Sequence, residues 1–341
     1  MIFFRGKKAK LLLMCLAIAE AFSSCSLKDD SSQKKTVPIP GKVERIAVDG
    51  TSLASVILLL GAGEKIVASL PSVRENPWFQ KTCPAIQNST DAFAGAFNPE
   101  TLLKMKPDMA ILWSGNDRLS ERLRTLGIPV LSVQYRNSAE FKDAVSRIAR
   151  SLGATEMQNA SRFFHYYDSL ETLVRKRLKD LPEERKKRVY YAADSPTNTE
   201  GRASSINTWI SAAGGVNAAN DSPVTTTRFD VDTETLIRWN PDIIITRDAW
   251  VRDAFLKGPA WQNLKAVRSG KVYVNPKGVN SWATRSGESA LQFLWAAKTL
   301  YPDRFQDVRL SKEVFLFYST FYRYSPDSVE IAGILQPGRD P

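Results

Sequence analysis

One histidine and three cysteines are all that a chain of 341 residues offers to soft-metal or imidazole chemistry. A protein site for bare Zn²⁺ or another transition-metal ion recruits several His, Cys or carboxylate ligands, so such a site is poorly supported. His165 lies in "RFFHYYD", inside a long helical stretch, where a packed or surface helix residue is the expected role. A Ser-His-Asp triad would need this histidine, which sits on the wrong element. There is no G-x-S-x-G elbow and no G-x-x-x-x-G-K-(S/T) loop, and "SAAGGVNAAN" lacks the G-x-G-x-x-G spacing. The chain therefore reads as a non-enzyme without a resident cofactor. Cys15 and Cys25 fall in the first 25 residues. Cys83 then stands alone in the body, which excludes an intramolecular disulfide there.

Long apolar runs are also missing. "LLLMCLAIA" (Leu11–Ala19) is too short to span a bilayer. It follows the basic "MIFFRGKKAK" and leads to "FSSC", small residues directly before Cys25. Residues 1–25 read as a lipoprotein signal peptide, with Phe22 in place of the usual aliphatic residue and Cys25 as the lipidated residue. Residues 26–42, polar and rich in Lys, Ser and Asp, read as a flexible tether. The net charge of +11 is high. Part of it sits in that leader and part in "VRKRLKDLPEERKKR" (Val174–Arg188), where interleaved acids make a solvated helix face. No nucleic-acid module accompanies it.

What is present is a rhythm. Short β-type runs such as "VERIAV", "KIVASL", "DMAILW" and "IPVLSV" alternate with helical stretches such as "TSLASVILLL" and "AEFKDAVSRIARSLG". Alternation at this spacing predicts a parallel sheet with helices packed on it. From Thr155 to about Leu181 the pattern is helical only, with apolar residues at Phe163, Tyr167, Leu170, Leu173 and Leu178. The βα rhythm then restarts at "RVYYAAD". The expected organisation is an α/β lobe over 43–154, a connecting helix over 155–182, and a second α/β lobe with C-terminal helices over 186–341. Both lobes are Rossmann-like, and a ligand cleft lies between them.

One phrase occurs twice. "PETLLKMKPD" begins at Pro99 and "TETLIRWNPD" at Thr233. Both contain E-T-L-(L/I)-x-x-x-P-D and both precede an apolar run, which points to internal duplication. Asn98 and Asp232 are good N-caps, and Glu100 and Glu234 favour the first turn of a helix. Capping alone would accept an acid at several first-turn positions.

The ordered blocks "VERIAVDGTSLASVILLLGAGEKIVAS", "FNPETLLKMKPDMAILW", "LRTLGIPVLSV", "ISAAGGVNAAND", "VDTETLIRWNPDIII" and "AWQNLKAVRSGKVYVNP" resemble class III substrate-binding proteins of ABC importers. These are the receptors for ferric siderophores, cobalamin and haem. The match runs from about Val43 to Phe305. The C-terminal part resembles a subgroup labelled iron-complex binding, which includes a molybdate and tungstate binder. The resemblance implies a monomer that captures an iron complex or related metal chelate and hands it to a permease and its ATPase. A molybdate-type oxyanion is the alternative ligand. It also implies that Glu100 and Glu234 dock onto the permease. "LKDD" (Leu27–Asp30) resembles a surface-export signal, which leaves open a surface scavenger that uses no permease.

In such a fold the ligand lies outside the carboxyl ends of the strands and at the junction between lobes. The loops expected there carry Arg74, Trp78, Trp113, Tyr135, Arg136, Arg202, Arg228, Trp250, Trp282 and Arg285. Aromatics provide flat apolar contact and arginines bidentate recognition of carboxylates or oxyanions. That mixture suits an anionic metal chelate, haem or a bare oxyanion.

Overall fold

The computed structural model describes residues 37–93 and 97–338. The leader, Cys25 and most of the tether lie outside the described residues. Among the described residues no helix is long and apolar enough to cross a membrane.

Five short strands build the first sheet: β1 (Ile46–Val48), β2 (Ile66–Ser69), β3 (Thr90–Asp91), β4 (Met109–Trp113) and β5 (Val130–Val133). Their spatial order is β3-β2-β1-β4-β5, and every pairing is parallel. Parallel neighbours need crossovers. These are supplied by Thr51–Leu59 between β1 and β2, Pro99–Lys104 before β4, and Asp117–Thr125 between β4 and β5. Helices cover both faces, so β1 reads as unbroken apolar sequence and is wholly buried.

The second sheet comprises β6 (Arg188–Ala192), β7 (Asn198–Glu200), β8 (Val216–Asn217), β9 (Arg228–Asp230), β10 (Ile243–Thr246) and β11 (Val272–Val274). The order is β11-β10-β6-β7-β9, and β8 pairs with the first residues of β6. β10 and β11 run parallel, whereas β7 is antiparallel to both β6 and β9. The sequence reading missed β7 and β9, because three-residue strands rich in Asn, Thr, Arg and Asp carry no apolar signal.

The connecting helix runs Ala154–Leu178, four residues short of the expected end at 182. Gly153, at φ 142° and ψ −175°, separates it from the helix Ser138–Leu152. Only glycine adopts that backbone without strain. Phe163 and Tyr167 form the inner face of the connecting helix. They pack against Phe141 of the first lobe at ring separations of 6.1 and 6.2 Å. Tyr167 also meets Phe293, 5.3 Å away, from the helix Ser289–Leu300. One continuous apolar cluster thus joins residues from both sheets through this helix.

The chain then returns to the first lobe. Beyond Leu310, the helix Leu310–Phe317, a π-helical turn Tyr318–Tyr322 and the helix Ser328–Leu335 follow one another. The π-helical turn packs on the helix Thr51–Leu59. Lys81 reaches Glu330 at 2.6 Å.

Candidate functional site

The duplicated phrase is duplicated in structure as well. Asn98 Oδ1 accepts the Thr101 N–H at 3.0 Å, and Asp232 Oδ1 accepts the Thr235 N–H at 2.6 Å. Leu102 and Leu236 are fully buried, while Leu103 and Ile237 are exposed. Lys106 and Asn240 both adopt positive φ, 45° and 40°, one residue before the Pro-Asp pair. Asp108 then accepts the N–H groups of Glu44 and Arg45 at 2.8 and 2.9 Å, just ahead of β1. Asp242 accepts the N–H of Arg188, the first residue of β6, at 2.8 Å. Each motif therefore caps a helix, breaks it, and pins the start of its lobe's central strand. None of these roles uses Glu100 or Glu234. Both are exposed, and neither makes a side-chain hydrogen bond or ion pair among the described residues.

Strand order in the first sheet reverses between β1 and β4, and ligands bind at such switch points. Asp49 follows β1, and its Oδ1 accepts the Trp113 N–H from the end of β4 at 3.1 Å. Burial pushes the Asp49 carboxyl up to about 6, against the pull of this bond and of Asn116. Gly50 is required here, because a Cβ would lie 2.5 Å from Trp113 Nε1. The Trp113 ring lies 4.8 Å from Tyr135, which follows β5.

From Tyr135 the site crosses to the second lobe. Its hydroxyl donates to the backbone carbonyl of Arg285 at 2.9 Å. The loop after β11 makes three further contacts with the first lobe. Asn76 Nδ2 donates to the Val279 carbonyl, Asn280 Nδ2 to Ser52 Oγ, and the Gly287 N–H to Ser55 Oγ, at 3.2, 3.0 and 3.2 Å. The loop is thus a brace laid over the carboxyl end of β1.

At its centre Arg285 is only 9% exposed, and its Nη2 has no hydrogen-bond partner. Burial lowers its pKa from the ordinary arginine value, partly offset by Tyr167, Glu140 and Tyr135. The guanidinium borders a cavity of about 10 Å³, together with Tyr167, Ser205, Thr208, Trp209, Trp282 and Gln292. Trp209 Nε1 and Gln292 Oε1 are likewise buried without partners. A buried unsatisfied donor costs about 1–3 kcal/mol, and more when charged. A cation and an indole N–H left unpaired beside hydroxyls, with no carboxylate among the lining residues, form a donor set for an oxyanion.

The structure brings Trp113, Tyr135, Trp282 and Arg285 together. It sets the other sequence-derived candidates apart. Trp78 packs edge-on against Tyr318 and Tyr324, with Lys81 over its face. Arg74 pairs with Glu75 at 2.7 Å. Arg136 is exposed, with its N–H on Glu140 Oε2. Arg202 donates to the Asn220 carbonyl, and Arg228 bridges Asp194 and Glu200. Trp250 is 58% exposed. Sequence reasoning missed Tyr167, Trp209 and Gln292. They lie on helices whose apolar periodicity reads as core, and only the position of Arg285 reveals their polar ends.

Of the other hollows among the described residues, two bear on where a ligand could sit. One of about 310 Å³ lies at the carboxyl ends of the first sheet, lined by Asp49, Phe93, Phe97, Asn116, Arg118 and Arg122. The Arg122 guanidinium sits 5.0 Å from the Phe97 ring centre. The other, about 780 Å³ and rich in Lys and Arg, lies at the amino ends of β6, β10 and β11, on the wrong side of the sheet for a ligand cleft. No group of three or more His, Cys, Asp or Glu side chains able to hold a metal occurs among the described residues.

A family profile described as periplasmic binding protein matches residues 46–278. The molybdate-binding protein MolA of Haemophilus influenzae is 26% identical over 353 residues, covering 94% of this chain and 99% of that protein. Its molybdate-bound structure superposes with a TM-score of 0.76 at 24% identity, covering 85% of this chain and 96% of that one. A periplasmic solute-binding protein from Veillonella parvula gives the same TM-score at 27% identity, covering 87% and 93%. An uncharacterized ABC-transporter substrate-binding lipoprotein of Bacillus subtilis, YvrC, is 24% identical and covers 89% of this chain and 98% of its own length.

Proposed function

This chain belongs to the periplasmic binding protein family, and on that premise we propose that it captures a small tetrahedral oxyanion of the molybdate class at Arg285 for import. As a solute-binding component of an ABC importer it works by binding and delivery. The observation that carries the ligand class is the buried Nη2 of Arg285, unpaired beside the unpaired Nε1 of Trp209. An anion that accepts from both would remove two desolvation costs at once. The cavity of about 10 Å³ holds roughly one water, so its walls, the connecting helix, the second-lobe helices and the brace loop, must part slightly to admit the ion and close again over it. A continuous connecting helix, with no loop hinge inside it, suits a small rocking motion of this kind. The similarity to a molybdate-binding protein over nearly the whole chain supports the same class.

A metal chelate or haem is the second reading, and the hollow of about 310 Å³ favours it, since it pairs two arginines with two phenylalanines. That volume is at the lower end for drug-sized ligands. Thermal-shift titration separates the two readings. A ligand that binds only the folded chain stabilises it by RT ln(1 + [L]/Kd). Molybdate and tungstate raise the melting temperature under the first reading, and a ferric chelate or haem does so under the second. Export with lipidation at Cys25, and docking of Glu100 and Glu234 on the permease, complete the proposed delivery route.

A further inference from the structure

A carboxylate lies inside the brace where the oxyanion chemistry gives it no task. Glu288 is fully buried, three residues beyond Arg285. It accepts the Asn280 N–H at 2.5 Å, the Trp282 Nε1–H at 3.3 Å and the Tyr318 hydroxyl. Tyr318 in turn accepts the Val279 N–H at 3.3 Å. The loop is wound so tightly on these groups that its two ends must be glycine. A Cβ at Gly278 would fall 1.8 Å from the Tyr318 hydroxyl and 2.5 Å from Glu288 Oε1. A Cβ at Gly287 would fall 2.5 Å from the Tyr322 hydroxyl.

We propose that Glu288 is the positioning residue of the ligand arginine: its carboxylate ties the Gly278–Glu288 loop to the C-terminal tyrosines and so holds Arg285 over the cavity. This rests on Arg285 being the ligand group. Both ends of the tie are fixed elsewhere. Tyr318 belongs to the π-helical turn packed on the helix Thr51–Leu59, and the loop itself is bonded to Ser52, Ser55, Asn76 and Tyr135 of the first lobe. The carboxylate is the single acceptor at which backbone, indole and phenol converge. Without it three donors lose their partner and the loop loses its internal reference. A buried acceptor so fully used fixes one geometry.

The same geometry couples the loop to pH. Burial raises the Glu288 pKa to about 7, with the Tyr318, Asn280 and Trp282 bonds pulling the other way. The titratable groups facing it from the C-terminal turn are Tyr318 and Tyr322. The helix Thr51–Leu59 brings only hydroxyls and aliphatic groups. Because the closed loop binds this proton more tightly than an opened one, the brace loosens as pH rises through about 7.

The test combines hydrogen exchange with molybdate titration for the full mature chain, Glu288→Gln and Tyr318→Phe, between pH 6 and 8. In Glu288→Gln the 279–285 amides exchange about tenfold faster, molybdate affinity at pH 8 drops about tenfold, and the pH dependence seen in the wild type disappears. Tyr318→Phe keeps the ring and removes one donor. It moves the midpoint of that dependence to higher pH. If Glu288→Gln exchanges like the wild type and keeps its pH profile, the positioning role is wrong. If the wild type binds no molybdate, the ligand reading fails, and the exchange comparison without ligand still decides whether Glu288 holds the loop.

Discussion

The hydroxyl of Tyr135, in the first lobe, donates to the backbone carbonyl of Arg285, in the second, at 2.9 Å and across 150 residues of sequence. This bond fixes the backbone of the residue whose side chain faces the cavity. Tyr135→Phe removes it without changing the packing against Trp113 and Phe141. A net loss of about 0.5–1.5 kcal/mol is expected, together with a severalfold loss of molybdate affinity. Chemical denaturation and titration of the same preparation check both.

Arg285 is a liability in the ligand-free chain. Its guanidinium is buried with Nη2 unpaired. Replacing a buried charge by an apolar group of similar length is often neutral or stabilising. Arg285→Met therefore melts at or above the wild-type temperature without ligand, and gains nothing from molybdate. Scanning calorimetry with and without molybdate reads both outcomes.

Two carboxyls give the fold a characteristic pH response. Asp49 is raised from 3.8 to about 6 and Glu288 from 4.5 to about 7, both chiefly by burial. A raised acid holds its proton in the folded chain after the unfolded chain has lost it. Its contribution to stability is therefore fully present below the unfolded value and is lost as pH rises through the folded one. Relative to wild type, Asp49→Asn gains melting temperature between about pH 4 and 6, and Glu288→Gln flattens the slope between about pH 4.5 and 7. A parallel offset at all pH values would contradict the assignment.

The duplicated motif predicts its own repair. Lys106 and Asn240 hold the same left-handed position, at φ 45° and 40°. Asparagine tolerates that conformation better than lysine. Lys106→Asn is expected to stabilise by about 0.5–1 kcal/mol, measurable as a shifted denaturation midpoint at unchanged slope.

Much of this architecture was legible in sequence because it rests on apolar period and capping. The parallel strands read as "MAILW" and "IIIT", and the motif announced its own caps at Asn98 and Asp232. The connecting helix was visible from Phe163, Tyr167 and Leu170, although its end at Leu178 was not, since Lys179 and Asp180 are ordinary helix residues. The site was legible only in part. Tyr135, Trp282 and Arg285 stood in the expected loops. Trp209 and Gln292 could not be found that way, because what marks them is an unpaired polar atom at the end of a side chain that otherwise packs as core. Residues such as Arg228 and Trp78 carry the right chemistry, but ion pairs and ring contacts hold them elsewhere.

Glu100 and Glu234 are exposed and free of ion pairs among the described residues, so changing them to Gln leaves folding and ligand affinity intact. The dipole term at each helix start is only about 0.3–1 kcal/mol. Uptake through the permease is expected to fall, most in the double variant, and the shortfall narrows at higher salt, where the wild-type contact is itself screened. Normal uptake by the double variant would reduce the repeat to capping and strand pinning.

The most direct measurement is calorimetric titration of the purified protein with sodium molybdate, for wild type and Arg285→Met in parallel. One ion is expected to bind per wild-type chain, with a loss of about ten- to a hundredfold in affinity for a variant that remains folded, as removal of a charged hydrogen-bond donor implies. No binding by the wild type, or equal binding by Arg285→Met, would contradict it.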